Sequence, residues 1–303
     1  MLAMLALPVF VACGGGHSSP PPPVAPSITT QPANQTALEG DTPTFSVVAS
    51  GTDPLTYQWS KGGTALSGAT NASYTSPAVA IGDSGSTFTV TITNSAGSVT
   101  SNPATLTVYT RPAIASFQAA PATITVGGTA TLSFGFSGGA GSIDNNVGSV
   151  TSGTNVDVKP SATTTYTLTV DNGHGTTKTS TATVTVAPVP VAPVISVAST
   201  VTAGKTGLAA AVTTPQAGIV YSWAATNATL TSAVTGNSVT FTAGSVGSAS
   251  LTCTATNAAN ATASSTANLT VVAAPTASIT ASTANPLYGA TNVTVTPTFT
   301  NAT

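Results

Sequence analysis

The sequence predicts an all-β chain of several two-sheet sandwiches in tandem, strung out as an elongated array. Composition is the first observation. Of 303 residues only 4% are Asp, Glu, Lys or Arg while 41% are apolar, so the solvent-facing half must be Thr, Ser, Asn, Gly and Ala. Thr and Val favour pleated, half-buried surfaces and lose rotamer freedom in helices. The second observation is alternation: short runs of period two recur every 8 to 12 residues, separated by turn clusters such as Ser50-Gly51-Thr52-Asp53-Pro54, Lys61-Gly62-Gly63 and Asp83-Ser84-Gly85. The third is that bulky anchors return at fixed spacing along a chain too long for one small sandwich.

In one repeat type, Gly40 precedes Phe45, Val47 and Ala49, then Tyr57-Gln58-Trp59, then Phe88 to Asn94. The same order returns as Gly204, then Leu208, Ala210 and Val212, then Tyr221-Ser222-Trp223, then Leu251 to Asn257. Gly to Trp is 19 residues in both, and Trp to Asn is 35 and 34. A second type aligns Ala115-Ser116-Phe117, Ala119, Gly127 and Thr129 with Ala277-Ser278-Ile279, Ala281, Gly289 and Thr291. The order of units is therefore A-B-A-B. Proline returns at each joint, at Pro112, across Pro188 to Pro193 and at Pro275, and proline-rich joints act as semi-rigid spacers. The expected bounds are 26–109, 112–187, 193–273 and an incomplete fourth unit, 275–303. At about 30 residues the fourth cannot close a sandwich, so a longer parent protein is expected.

Alternation puts Tyr57 and Trp59, and likewise Tyr221 and Trp223, on one strand face. A sandwich needs a large residue there to fill the roughly 10 Å between its sheets. With Ile28, Leu106 and the Asp83-Ser84-Gly85 corner, unit one resembles the immunoglobulin-like (Ig-like or PKD-like) domains repeated in bacterial surface proteins. That resemblance implies tandem Ig-like sandwiches. Relatives with a disulfide between the two sheets would place cysteines near Phe45 and Val90, which are apolar here, so no bridge within a domain is expected. Cys253 lacks a partner near Leu208 to Val212 and is expected to be a buried free thiol acting as a small hydrophobe.

Met1 to Ala12 is an apolar run of signal-peptide length, too short to cross a bilayer, and it ends at Cys13. Residues 14–25 form a Gly- then Pro-rich tether. Val11-Ala12-Cys13 resembles the lipobox of bacterial lipoproteins, which implies lipidation of Cys13 and membrane attachment at the outer membrane or cell surface. An ordinary cleaved signal with an incidental cysteine is the alternative, and export follows from either.

Catalysis needs positioned acids, bases or metals. The acidic residues Glu39, Asp41, Asp53, Asp83, Asp144, Asp157 and Asp171 are scattered, mostly in turns. Asp83 is expected to cap backbone donors in its corner. Glu39 and Asp41 flank Gly40 and could lend oxygens to Ca²⁺ at an interdomain joint, though calcium wants six to eight. No other cofactor is implied. His17 lies in the tether and His174 in a turn, neither at metal-ligand spacing. Five basic residues give no footprint for nucleic acid. The Asn-x-Ser/Thr triplets, such as Asn34-Gln35-Thr36, Asn71-Ala72-Ser73 and Asn227-Ala228-Thr229, follow from composition in a bacterial lipoprotein.

No enzyme is expected in this chain. Its expected role is an exported structural or adhesive one, a spacer rod or a set of modules that bind a cell-surface protein or glycan. Carbohydrate-binding or accessory modules of a longer secreted enzyme, and a filament-forming subunit, are the alternatives.

Overall fold

The computed structural model describes residues 21–281 and 295–300. The Met1 to Ala12 run, Cys13 and His17 lie outside the described residues. Among the described residues every regular element is a strand except one 3-10 turn, Ile81–Asp83, and no helix is long and apolar enough to cross a membrane. The chain divides into two compact units. One runs up to Arg111 and takes in the loop Asn172–Thr176, and the other comprises the remainder.

The first unit holds one sandwich. Its opening strand is split: Ser27–Thr30 pairs antiparallel with Val48–Ser50, and Gln35–Leu38 then crosses to run parallel with Ala104–Tyr109. Pro32 interrupts the strand because it has no N–H to give a ladder. The side chains beside it do the pairing instead. Gln31 Oε1 accepts from Asn102 N at 2.9 Å and Asn34 Oδ1 accepts from Thr105 N at 2.8 Å. The larger sheet continues through Thr87–Asn94 to Thr56–Lys61 and Thr64–Ala65, while Thr44–Ser46 pairs with Ser73–Thr75 opposite it. Between the layers Phe45, Trp59, Phe88 and Val90 are fully buried. Phe45 stacks on Phe88 at 4.4 Å between ring centroids and lies 6.4 Å from Trp59, so aromatic packing fills the place where a disulfide would join the sheets. Tyr57 is half-buried and packs against this core.

The second unit contains two further cores. In one sandwich Ala113–Ala120 pairs antiparallel with Ala130–Ser137, and Thr123–Thr125 runs parallel with Thr177–Ala187. In the other Ile195–Ser196 and Thr200–Thr202 split in the same way, against Leu208–Val212 and Thr262–Val272. The final described strands, Thr276–Ala281 and Val295–Thr300, pair antiparallel over six residues.

Two sequence types therefore share one backbone scheme, and the difference lies in how the core is filled. Trp59 stands opposite Val90 and Trp223 opposite Cys253 in strand register. In the middle sandwich the equivalent pair is Ile143 opposite Leu168, and Gly141 opposite Val170 stands where the other two carry tyrosine. The missing volume comes from the facing sheet, on the strand Ala130–Ser137. A Cβ on Gly141 would lie 2.2 Å from Cζ of Phe136, whose ring stacks near Phe134, and Phe117 meets Phe134 edge-on. Trp59→Ala should cost about 3–5 kcal/mol through the cavity it leaves, and Gly141→Ala about 1–3 kcal/mol by displacing the Phe136 ring. Denaturant unfolding measures both. A neutral Gly141→Ala would show that the Phe136 ring does not occupy that space.

Candidate functional site

Several of the charged groups are spent on local structure. Asp83 accepts from Ala80 N at 2.9 Å and from Lys61 Nζ at 2.6 Å, so the corner next to Gly85 is capped and fastened to the strand beside it. Its carboxyl is held below the ordinary range, chiefly by the Lys61 hydrogen bond and then by the Ala80 amide. Asp41 accepts from Leu38 N and from the Arg111 guanidinium, and Arg111 Nε also donates to Glu39 O. The Asp41 carboxylate thus meets protein donors, and at Glu39 it is the backbone carbonyl that accepts. Among the described residues no three His, Cys, Asp or Glu side chains converge on a point where a metal could sit. An open groove of about 520 Å³ in the middle sandwich is bordered by Asn145, Asn146, Asp157, Lys159 and Tyr166. Asp157 there accepts from Thr131, and Asn145 donates to Asp144 and Thr165 O, so these groups are already paired.

Trp59 and Trp223 are buried, and each indole N–H donates at 2.9 Å to a carbonyl, of Asn71 and of Gly236. Neither presents a face on which a sugar could stack. Tyr221 is buried as well, and its hydroxyl accepts from Gln216 N at 2.8 Å, which holds the loop carrying Gln216. Cys253 is a fully buried free cysteine directly opposite Trp223. Burial pushes its thiol up from 9.0 to about 11.

A different set of residues does converge, at the N-terminal pole of each sandwich. The strand ending at Asn94 is followed by a tight turn in which Asn94 Oδ1 accepts from Ala96 N. Asn94 Nδ2 donates to Val24 O at 2.7 Å and to Thr52 O at 2.8 Å. Asn172 repeats this: Oδ1 accepts from His174 N and Thr176 N, and Nδ2 donates to Thr110 O at 3.0 Å. So does Asn257, whose Oδ1 accepts from Ala259 N and Ala261 N and whose Nδ2 donates to Pro188 O at 2.8 Å and to Thr125 Oγ1 at 3.0 Å. His174, expected as a solvated turn residue, is exposed, yet its ring also stacks on Tyr109 with centroids 3.6 Å apart.

The immunoglobulin domain family matches residues 25–102. Three consecutive titin domains superpose with a TM-score of 0.50 at 15% identity, covering 84% of this chain and 98% of that one. A second titin fragment of three domains gives a TM-score of 0.40 at 16% identity, over 83% and 99% of the two chains. The chain carries tandem immunoglobulin-like domains. The decoration protein of Escherichia phage T5 is 42% identical over 84 residues, 26% of this chain and 51% of that protein. This chain thus spans about half the length of the curated relative it matches.

In the sequence, two of the three pole asparagines stand out only as spacing markers. Asn94 and Asn257 ended the repeated strand, whereas Asn172 was not aligned with them because its unit lacks the tryptophan. An asparagine closing the penultimate strand, followed by small turn residues, was the available signal.

The raised thiol gives a pH prediction for the Ig-like domain that contains Cys253. Folding holds the proton more tightly than the unfolded chain does. That contribution is complete below about pH 9 and is lost as pH rises through about 11. Unfolding curves from pH 8 to 11 should therefore fall more steeply for wild type than for Cys253→Ala. Parallel curves would contradict the assignment.

Proposed function

We propose that the chain is an exported surface protein, tethered through acyl groups on Cys13, whose Ig-like domains hold a display element away from the surface and offer binding modules along the way. The observation that carries this reading is the succession of three complete sandwiches, each with its own core, joined by proline-bearing segments. Ig-like repeats are typical of extracellular structural or binding modules, and the family match over residues 25–102 supports that coarse role. The neutral Thr- and Ser-rich surface suits a spacer, since it presents no strong field to draw charged partners.

The likeness to a phage decoration protein favours a second reading, in which an Ig-like module of this kind coats a surface as a soluble subunit. Two measurements separate the readings. Metabolic labelling with palmitate should mark wild type and not Cys13→Ala; absence of label from both removes the tethered reading. Small-angle scattering on the exported chain should give a radius of gyration well above the roughly 19 Å of a compact 303-residue globule. A value near 19 Å would contradict a spacer.

A further inference from the structure

In antibody-like sandwiches the loops gathered at one pole are the ligand-binding loops. In this chain the loops at the N-terminal pole already hold something: the peptide that leads into the same sandwich. Ahead of the first sandwich, Val24 and Thr52 exchange hydrogen bonds, Val24 N to Thr52 Oγ1 at 2.8 Å and Thr52 N to Val24 O at 3.0 Å, while Asn94 donates to Val24 O from the facing turn. The fit is close, because a Cβ on Gly51 would come within 3.1 Å of Pro26 Cα. Ahead of the third, Gln216 grips the incoming strand with both ends of its amide, Nε2 to Val189 O at 2.8 Å and Oε1 from Val191 N at 3.1 Å. Asn257 takes the preceding carbonyl, of Pro188. In the middle sandwich the corresponding first loop is only Gly138-Gly139, which has no side chain to offer. There Asn172 takes Thr110 O and His174 stacks on Tyr109.

We propose that the pole loops of each Ig-like domain are receptors for the chain's own incoming segment, and that this self-occupancy fastens the segment and closes the poles to other ligands. Proline limits the conformations of the peptide, but stiffness alone does not fasten it to a surface. The side-chain amides do so. Each presents a donor to a carbonyl of the incoming segment while its acceptor is engaged by its own turn or by a second backbone N–H, so both halves of the amide are satisfied. Any partner of the array then has to use sheet faces or the opposite pole. The proposal is independent of what the array displays and of whether Cys13 is acylated.

The test uses amide order parameters in the full chain, read at Val189 and Val191, with Leu251 and Leu269 as core reporters. Val189 and Val191 should have values of about 0.85 in wild type, as for rigid backbone, and fall below about 0.6 in Gln216→Ala combined with Asn257→Asp, with the core reporters unchanged. Asp retains the acceptor that closes the turn and removes only the donor. If Asn257→Asp disturbs the core reporters, Gln216→Ala alone decides, since it removes both hydrogen bonds to the segment and should mobilise Val191. Flexible Val189 and Val191 in wild type, or a rigid Val191 in Gln216→Ala, would overturn the proposal.

Discussion

Five basic and seven acidic side chains in 303 residues leave hydroxyls and amides to perform what charge does on most protein surfaces. Beyond Lys205 no Asp, Glu, Lys, Arg or His occurs at all. There, hydration, turn capping and the fastening of segments must be neutral. Threonine supplies the sheet faces, where cross-strand hydroxyl pairs form between Thr44 and Thr75, Thr91 and Thr100, Thr165 and Thr183, and Thr252 and Thr266, at 2.8–3.0 Å. Such pairs contribute roughly 0.2–1 kcal/mol each. Asparagine and glutamine supply the poles. The same amides that close a turn also reach the peptide leading into the sandwich, a service that an aspartate could give only on its acceptor side.

The core answers a matching constraint, since no bridge links the sheets. Cys253 has no partner, and the Phe45 and Val90 positions are apolar. Cohesion between layers has to come from volume placed in the middle. Two sandwiches place it as tryptophan on one strand, with the indole N–H paired to a carbonyl so that no donor is stranded. The middle sandwich places it as phenylalanine on a strand of the facing sheet, and the position it packs over must then shrink to Gly141. These are two solutions to one packing problem on one strand scheme.

Much of this was legible in the sequence. Alternation and the turn clusters between short runs made the tandem, all-β sandwich fold legible. The kinship of the middle sandwich was harder to see, because its filler sits on Ala130–Ser137 instead of on the strand that carries tryptophan elsewhere. Pattern matching by anchor position cannot register a residue that has moved to the facing sheet. The pole clasps were hidden for another reason. Asn94 and Val24, or Asn257 and Pro188, are about 70 residues apart, and which carbonyl an amide finds is decided by the fold and not by local pattern.

Neutral hydrogen bonds and core burial, not charge, hold the domains together. Thermal unfolding reported by Trp223 in Trp59→Phe tests it most directly, because the third sandwich has Lys205 as its only charged side chain and both ion pairs of the described residues lie before Pro112. Between about 0.01 and 0.15 M salt, where the Debye length falls from about 30 to 8 Å, its midpoint should stay constant. A shift of about 4–8 °C, equivalent to roughly 1 kcal/mol in a domain this size, would contradict the claim.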